Sequence, residues 1–155
     1  NYGYVYEIKK LKFLKGAINA IKLLNKNKIK VIVITNQSGI ARGYFSEKKL
    51  LLFNKNINKI LMKFNAKIDD FYYCPYHPSA KVKKYKKITN LRKPGNGMLL
   101  NAIKKYKLKP ADCFMIGDEK KDFLSSTKTK INFQYKKNYS LDKQIKKIIS
   151  KNNEI

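Results

Sequence analysis

Two short apolar runs, KVIVI at residues 30–34 and CFMI at 113–116, constrain the fold more than any other feature. Both are too short for an ordinary helix, and each ends in residues that turn a chain: Thr35 after the first, Gly117 and Asp118 after the second. Runs of this kind read as strands buried in a parallel sheet. Phe71 to Cys74 and Ile131 to Gln134 are weaker strand candidates. Between them the apolar period changes to that of a helix: Ala17 to Asn25, with Ile18, Ile21 and Leu24 on one face; Glu47 to Phe64, opened by Ser46 as an N-cap; and Met98 to Tyr106. Strand and helix alternate, so the expected fold is α/β with a parallel sheet.

With 155 residues, 43% of them hydrophobic, the expected organisation is one domain with a real core, spanning 1–155 and ending in a helix or tail over 141–155. The longest apolar run is a few residues, and no charged segment leads into an apolar one. Neither a membrane span nor a signal peptide is expected, and the expected compartment is the cytoplasm. Cys74 and Cys113 have no repeated spacing and fit a reducing environment.

The net charge of +26 raises the possibility of a nucleic-acid partner. Against that, the lysines run from Lys9 to Lys151 in company with Asn and Ile, as in NKNKIK, which reads as a solvated surface and disfavours nucleic acid. Of 36 basic residues only Arg42 and Arg92 are arginine. Arginine's planar fork can grip a phosphate in a way that the lysine ammonium cannot. Both positions are therefore candidates for a dedicated role. Arg42 sits beside Gly43, a residue permissive enough to let it fix a loop.

In an open α/β sheet ligands gather beyond the carboxyl ends of the strands. Thr35-Asn36 and Gly117-Asp118 occupy such places, and a hydroxyl, an amide and a carboxylate there could grip one small anion. The glycine-rich alternatives fail: there is no GxxxxGK[ST], and Gly95-Asn96-Gly97 lacks the third glycine of GxGxxG.

Four stretches, TNQSGIARG, YYCPYHP, LRKPGNGML and MIGDEKKD, occur in that order. Together they resemble the haloacid-dehalogenase-type phosphatases, specifically the branch of D-glycero-D-manno-heptose 1,7-bisphosphate 7-phosphatases, and the opening NYGYVYEIKKLKFLKGAINAI is similar to that branch's first segment. The resemblance runs from Asn1 to about Gln134. It implies a Rossmann-like three-layer sheet and phosphoryl transfer assisted by Mg2+. Thr35 and Asn36 match the second motif, which hydrogen-bonds the transferring phosphoryl group, and Gln37 and Ser38 continue that loop. Lys93 matches the lysine that balances charge on the phosphoryl group and nucleophile. Arg92 matches a residue that recognises the substrate's second phosphate or hydroxyls. Asp118 matches the magnesium ligand, with Asp122 as its supporting carboxylate. Asn1, Tyr2, Gly3 and Tyr4 match a short substrate-contacting turn.

Two departures from the family pattern matter. Relatives of this branch hold a structural zinc with a CxH and a CxC pair, whereas the matching positions here read Cys74, Tyr76, Thr89 and Leu91. Tetrahedral zinc wants four such ligands, and His77 next to Tyr76 does not restore them, so no zinc is expected. The family's DxDG segment, which supplies the nucleophile and the acid/base, has no counterpart between Asn1 and Ile155. The expectation is that this segment and its central strand precede Asn1, and that the chain as it stands is inactive.

The expected function is therefore a phosphatase acting on the 7-phosphate of a heptose 1,7-bisphosphate, in nucleotide-activated heptose and surface-glycan synthesis, through an aspartyl-phosphate intermediate. The expected partner is a small phosphorylated sugar and the expected state a monomer. Three alternatives stand beside it: a histidinol-phosphate phosphatase, a polynucleotide 3′-phosphatase favoured by the TNQ motif and the basic charge, and a non-catalytic phosphate-binding relative.

Overall fold

The computed structural model describes residues 3–152, so Asn1 and Tyr2 of the expected substrate turn lie outside the described residues. Its elements run α1 (Ala17–Lys26), β1 (Ile32–Asn36), α2 (Ser38–Ala41), α3 (Glu47–Met62), β2 (Asp70–Cys74), α4 (Gly97–Tyr106), β3 (Phe114–Gly117), α5 (Lys120–Thr127), β4 (Asn132–Tyr135) and α6 (Leu141–Asn152). All four strands and the three long helices foreseen in the sequence are present. β1 is displaced by two residues: it begins at Ile32 and continues through Thr35 and Asn36, so both of those residues are in the strand.

The chain divides into two compact units. The first contains the described residues of 3–32, 48–70 and 137–152. In it α1 packs on α6. Each helix buries one stripe: Ala17, Ala20 and Leu24 on α1, and Ile145 and Ile148 on α6. The spacing is that of a 3.6-residue helix with one apolar face. Most of α3 belongs here, with Leu50 and Leu61 among the most completely buried side chains. Asn58 on that helix pairs with a single residue in both directions: its Nδ2 donates to the Ile68 carbonyl at 2.9 Å, and its Oδ1 accepts from the Ile68 N–H at 2.8 Å. The approach to β2 is thus fixed by one side chain. Asp69 Oδ2 accepts the Val31 N–H at 2.8 Å, and the Asp69 N–H donates to the Val31 carbonyl at 2.7 Å.

The second unit contains residues 33–47 and 71–136, and with them the strand ends. Its strands form two separate pairs, β1 with β2 and β3 with β4. β3 and β4 are parallel, with Phe114 opposite Asn132 and Gly117 opposite Tyr135. α5 covers this pair. Two side chains reach the turn ahead of α4: Ser125 Oγ of α5 donates to the Gly95 carbonyl at 2.8 Å, and from just beyond the helix Lys128 Nζ donates to the Pro94 carbonyl at 3.0 Å.

Replacing Asn58 by Ala leaves an N–H and a carbonyl of Ile68 without that partner, in part-buried surroundings. The expected cost is about 1–3 kcal/mol, measured by urea denaturation against the unsubstituted chain.

Candidate active site

The site is built in the second unit around Lys93. Asn36, the last residue of β1, clasps the main chain of Lys93 from both sides: its Nδ2 donates to the Lys93 carbonyl, and its Oδ1 accepts the Lys93 N–H, both at 3.0 Å. The Lys93–Pro94 peptide is cis. The Lys93 ammonium donates to the Ile34 carbonyl of β1 at 3.0 Å and to Asp122 Oδ1 at 2.5 Å. Both partners of this ion pair are nearly out of water, with side-chain exposures of 10% and 5%. One lysine therefore ties the end of β1 to the start of α5.

Asp122 is held from its other side as well. Its Oδ2 accepts the Glu119 N–H at 3.1 Å, the return half of a capping box at the start of α5, and the Asp118 N–H also points at it. Burial pushes the carboxyl up, but the hydrogen bond from Lys93, the two main-chain donors and the lysine charge outweigh it and hold the group below the ordinary carboxylate range. Gly117 makes room for this carboxylate: a Cβ there would come within 2.6 Å of Asp122 Oδ2.

Asp118, by contrast, is exposed just beyond β3. The two acids foreseen as a metal pair thus differ in availability, since both Asp122 oxygens already have partners. Among the described residues no group of three or more His, Cys, Asp or Glu could hold a metal by itself. A site of this kind fits Mg2+, which commonly binds one or two carboxylates and completes its shell with water and substrate oxygens.

The remaining expected site residues are placed as follows. Thr35 Oγ1 accepts from Gln37 Nε2 at 3.1 Å, and the Gln37 N–H donates to the Cys74 carbonyl at 2.8 Å. Ser38 is buried at the start of α2. Arg92 Nη1 donates to the Tyr76 carbonyl at 3.4 Å. Gly3 and Tyr4 belong to the first unit.

Sequence reasoning missed Glu47. Tyr73 donates its hydroxyl to Glu47 Oε2 at 2.7 Å, and Tyr85 donates to Oε1 at 2.6 Å, so one carboxylate fastens β2 and the 76–86 loop to the start of α3. The Tyr85 hydrogen bond, with Tyr73 and the Lys84 charge, holds Glu47 below its ordinary range against a smaller opposing effect of burial. Burial and the same carboxylate push the Tyr73 phenol up to about 12. The signal lay in the sequence only as two tyrosines and one glutamate far apart. Glu119 is the N-cap of α5 and pairs with Lys121 at 2.6 Å.

The candidate site thus comprises a buried lysine–carboxylate pair and, four residues ahead of that carboxylate, an exposed aspartate beyond the carboxyl end of a parallel strand. Residues 6–151 match the family model described as polynucleotide kinase 3 phosphatase. The D-glycero-beta-D-manno-heptose-1,7-bisphosphate 7-phosphatase of Haemophilus influenzae is 41% identical over 131 residues, covering 84% of this chain and 71% of that protein. A had-like phosphatase from Mesorhizobium loti is 28% identical with a TM-score of 0.77, covering 83% of this chain and 62% of that one. The D,D-heptose 1,7-bisphosphate phosphatase of B. bronchiseptica, solved with magnesium and phosphate, has a TM-score of 0.78 at 20% identity, over 97% of this chain and 91% of that one. The chain belongs to this phosphatase family, phosphoric monoester hydrolases with a mixed α/β fold. It spans 71% of the Haemophilus protein and 62% of the Mesorhizobium one.

Because Asp122 is more acidic in the fold than in the open chain, its contribution to stability is fully present above the ordinary carboxylate pKa and is lost as pH falls through its lowered value. Asp122→Asn removes that dependence and strands a buried ammonium, at an expected cost of about 3–5 kcal/mol. Denaturation profiles of both proteins between neutral and acid pH measure the slope and the loss together.

Proposed function

We propose that this chain carries the phosphoryl-binding, charge-balancing and metal-binding parts of a phosphatase that removes the 7-phosphate of a heptose 1,7-bisphosphate. The observation that carries the reading is Lys93, fixed by Asn36, Ile34 and Asp122 next to the exposed Asp118. The identity of the substrate follows the Haemophilus relative. In this reading the nucleophile is the first aspartate of a DxDG segment outside these 155 residues, and the reaction passes through its acyl phosphate.

Each residue then has a physical task. Thr35 offers a hydroxyl and its neighbourhood offers main-chain donors to the phosphoryl oxygens, while Lys93 supplies a charge whose position costs nothing to organise when the substrate arrives. Asp122 keeps that ammonium in place and charged. Asn36 acts on Lys93 through its main chain. Asp118 would hold Mg2+, which supplies neutralising charge to the phosphoryl oxygens. Arg92, steadied by the Tyr76 carbonyl, recognises the non-reacting end of the substrate.

A DNA 3′-phosphate is the second reading, favoured by the description of the matching family model and by the absence of any acidic residue from Phe71 to Ala111. The two are separated by assaying phosphate release from a heptose 1,7-bisphosphate and from 3′-phosphorylated DNA, using this chain joined to a DxDG segment. The sugar is expected to give the larger kcat/KM in the presence of Mg2+, and the reverse order overturns the proposal. Asp118→Asn is expected to lower kcat by about 100-fold or more, since an amide is a neutral and weaker ligand for the cation.

Zinc has no part in this proposal. The Cys74 thiol is fully buried, burial pushes its pKa up, and the positions matched to the other zinc ligands are otherwise occupied. Tyr76 packs near Tyr85 with ring centroids 6.1 Å apart, and the Thr89 hydroxyl accepts the Leu91 N–H at 3.2 Å. Elemental analysis of the purified protein is expected to find no stoichiometric zinc; about one zinc per chain would overturn this part of the reading.

A further inference from the structure

Residues 81–87, KVKKYKK, hold five lysines in seven positions, and no acidic residue occurs between Phe71 and Ala111. A run of like charges repels itself and, left alone, stays extended and unordered. This one is ordered. Lys83–Tyr85 form one turn of 3-10 helix, Tyr85 is buried, and the Tyr85 and Lys86 N–H groups donate back to the Val82 and Lys83 carbonyls at 2.9 and 3.1 Å. Such local bonds shape a turn but do not decide where it lies, so its place in the unit is set by contacts with other segments.

The Val82 N–H, which donates to the Ala41 carbonyl at 3.0 Å, holds the run at its beginning. Glu47 holds it at its centre. From the start of α3 this carboxylate takes the Tyr85 hydroxyl on Oε1 at 2.6 Å and the Tyr73 hydroxyl on Oε2 at 2.7 Å. Tyr73 lies in β2, which is paired with β1, so the sheet keeps it in place whether or not its hydroxyl is satisfied. Tyr85 has no strand around it. Its bond to Glu47 is charge-assisted, and bonds of that kind are stronger than neutral ones.

From Tyr85 the constraint passes to Arg92 in two steps. The Tyr85 carbonyl accepts the His77 N–H at 3.1 Å, and the Tyr76 ring packs near that of Tyr85 with centroids 6.1 Å apart, so residues 76–77 are fixed against the run. The Tyr76 carbonyl then accepts Arg92 Nη1 at 3.4 Å. Arginine carries a long, rotamer-rich side chain, and an acceptor held in place lowers the cost of ordering it.

We propose that Glu47 is a positioning residue of the candidate site: through Tyr85 and the main chain of residues 76–77 it sets the carbonyl that steadies the Arg92 guanidinium, and so acts on substrate binding without touching the substrate. The effect on binding rests on the reading above, in which Arg92 contacts the substrate; the positioning of Arg92 does not. One acid from outside the run thereby does what the run, having no acid of its own, cannot do for itself.

Because the chain has only two arginines, it gives two guanidinium Nε–H signals in a nitrogen–proton NMR spectrum, and Arg42→Lys assigns them. Tyr85→Phe keeps the buried ring and removes only the hydroxyl. It is expected to move the Arg92 signal toward the position of a free guanidinium and to leave the Arg42 signal in place. Glu47→Gln, which keeps the size and loses the charge, is expected to act in the same direction, and Tyr73→Phe much more weakly. In the chain joined to a DxDG segment, Tyr85→Phe and Glu47→Gln are expected to raise KM for the heptose 1,7-bisphosphate about tenfold while kcat stays within about twofold. A residue serving overall stability alone would reduce the active fraction, and with it kcat, instead.

An Arg92 signal that moves in neither variant overturns the proposal, and so does an Arg42 signal that moves equally, since that marks general loosening. Hydrolysis with an unchanged KM, or an equal rise in KM for Tyr73→Phe and Tyr85→Phe, also overturns it. If Glu47→Gln does not fold, Tyr85→Phe decides by itself. Failure of the substrate reading is distinguishable, because the NMR measurement needs no turnover: a displaced Arg92 signal with no hydrolysis of the sugar bisphosphate by any form supports the positioning and removes the substrate.

Discussion

The buried pair between Lys93 and Asp122 is the contact on which the site depends. A lone ammonium or carboxylate at this depth would cost several kcal/mol of lost hydration, so neither residue can be placed without the other. The pair stays charged because it is not isolated: Lys93 also has the Ile34 carbonyl, and Asp122 has main-chain donors at the start of α5. Asn36 fixes the main chain of Lys93, and the Ser125 and Lys128 side chains hold the carbonyls of the next two residues. The pairs β1–β2 and β3–β4 share no strand-to-strand hydrogen bond among the described residues. Within the second unit, side chains around Lys93 therefore make the join that sheet ladders make elsewhere.

A similar economy governs the 76–86 loop. A loop of this length usually needs many contacts to be fixed, because ordering each residue costs about 1–2 kcal/mol of backbone entropy. Here the fastening is concentrated. Tyr85, a mostly buried ring, brings its hydroxyl to Glu47, and the main chain closes on itself at His77 and on α2 at Val82. The carboxylate accepts two short, charge-assisted bonds, which are stronger than neutral ones. An acid and two phenols can hold a loop in this way without a metal, provided that the acid remains ionised, and the depressed pKa of Glu47 meets that condition.

How much of this could be read in the sequence differs between elements and contacts. Strands and helices were legible because they depend on local periodicity: Ile18, Ile21 and Leu24 repeat at helical spacing, although the stripe that is buried runs through Ala17, Ala20 and Leu24, and the KVIVI run supplies the first residues of a half-buried β1. The end of β1 moved because Thr35 and Asn36 are tied into the second unit by pairings the sequence does not display. Asn36 and Lys93 are 57 residues apart, and Glu47 and Tyr85 are 38 apart. Motif order singled out Lys93, Asp118 and Asp122, with Asp122 as the carboxylate supporting Asp118, but only hydrogen-bond geometry displays that Asp122 joins the lysine to the helix start. Glu47 belonged to no motif. The spread of lysines along the chain also hid a local fact: the stretch from Phe71 to Ala111 has no acid at all.

Acidic residues are informative in this chain because they are scarce, 10 against 36 basic. With a positive field on every side, a carboxylate can find a counter-charge almost anywhere, so pairing alone says little. Several of them do something more specific. Asp69 receives the Val31 N–H, Glu47 receives two phenols, and Asp122 receives a buried ammonium and main-chain donors. Asp142 sits in the first turn of α6, where its charge favours the helix. These acids are explained by what they hold in place. Asp118 is not: it is exposed, it follows a parallel strand at the end where ligands gather, and its main-chain N–H rather than its carboxylate serves the fold. A carboxylate in that position, with no such contact to explain it, is the one that the proposed function gives to a divalent cation.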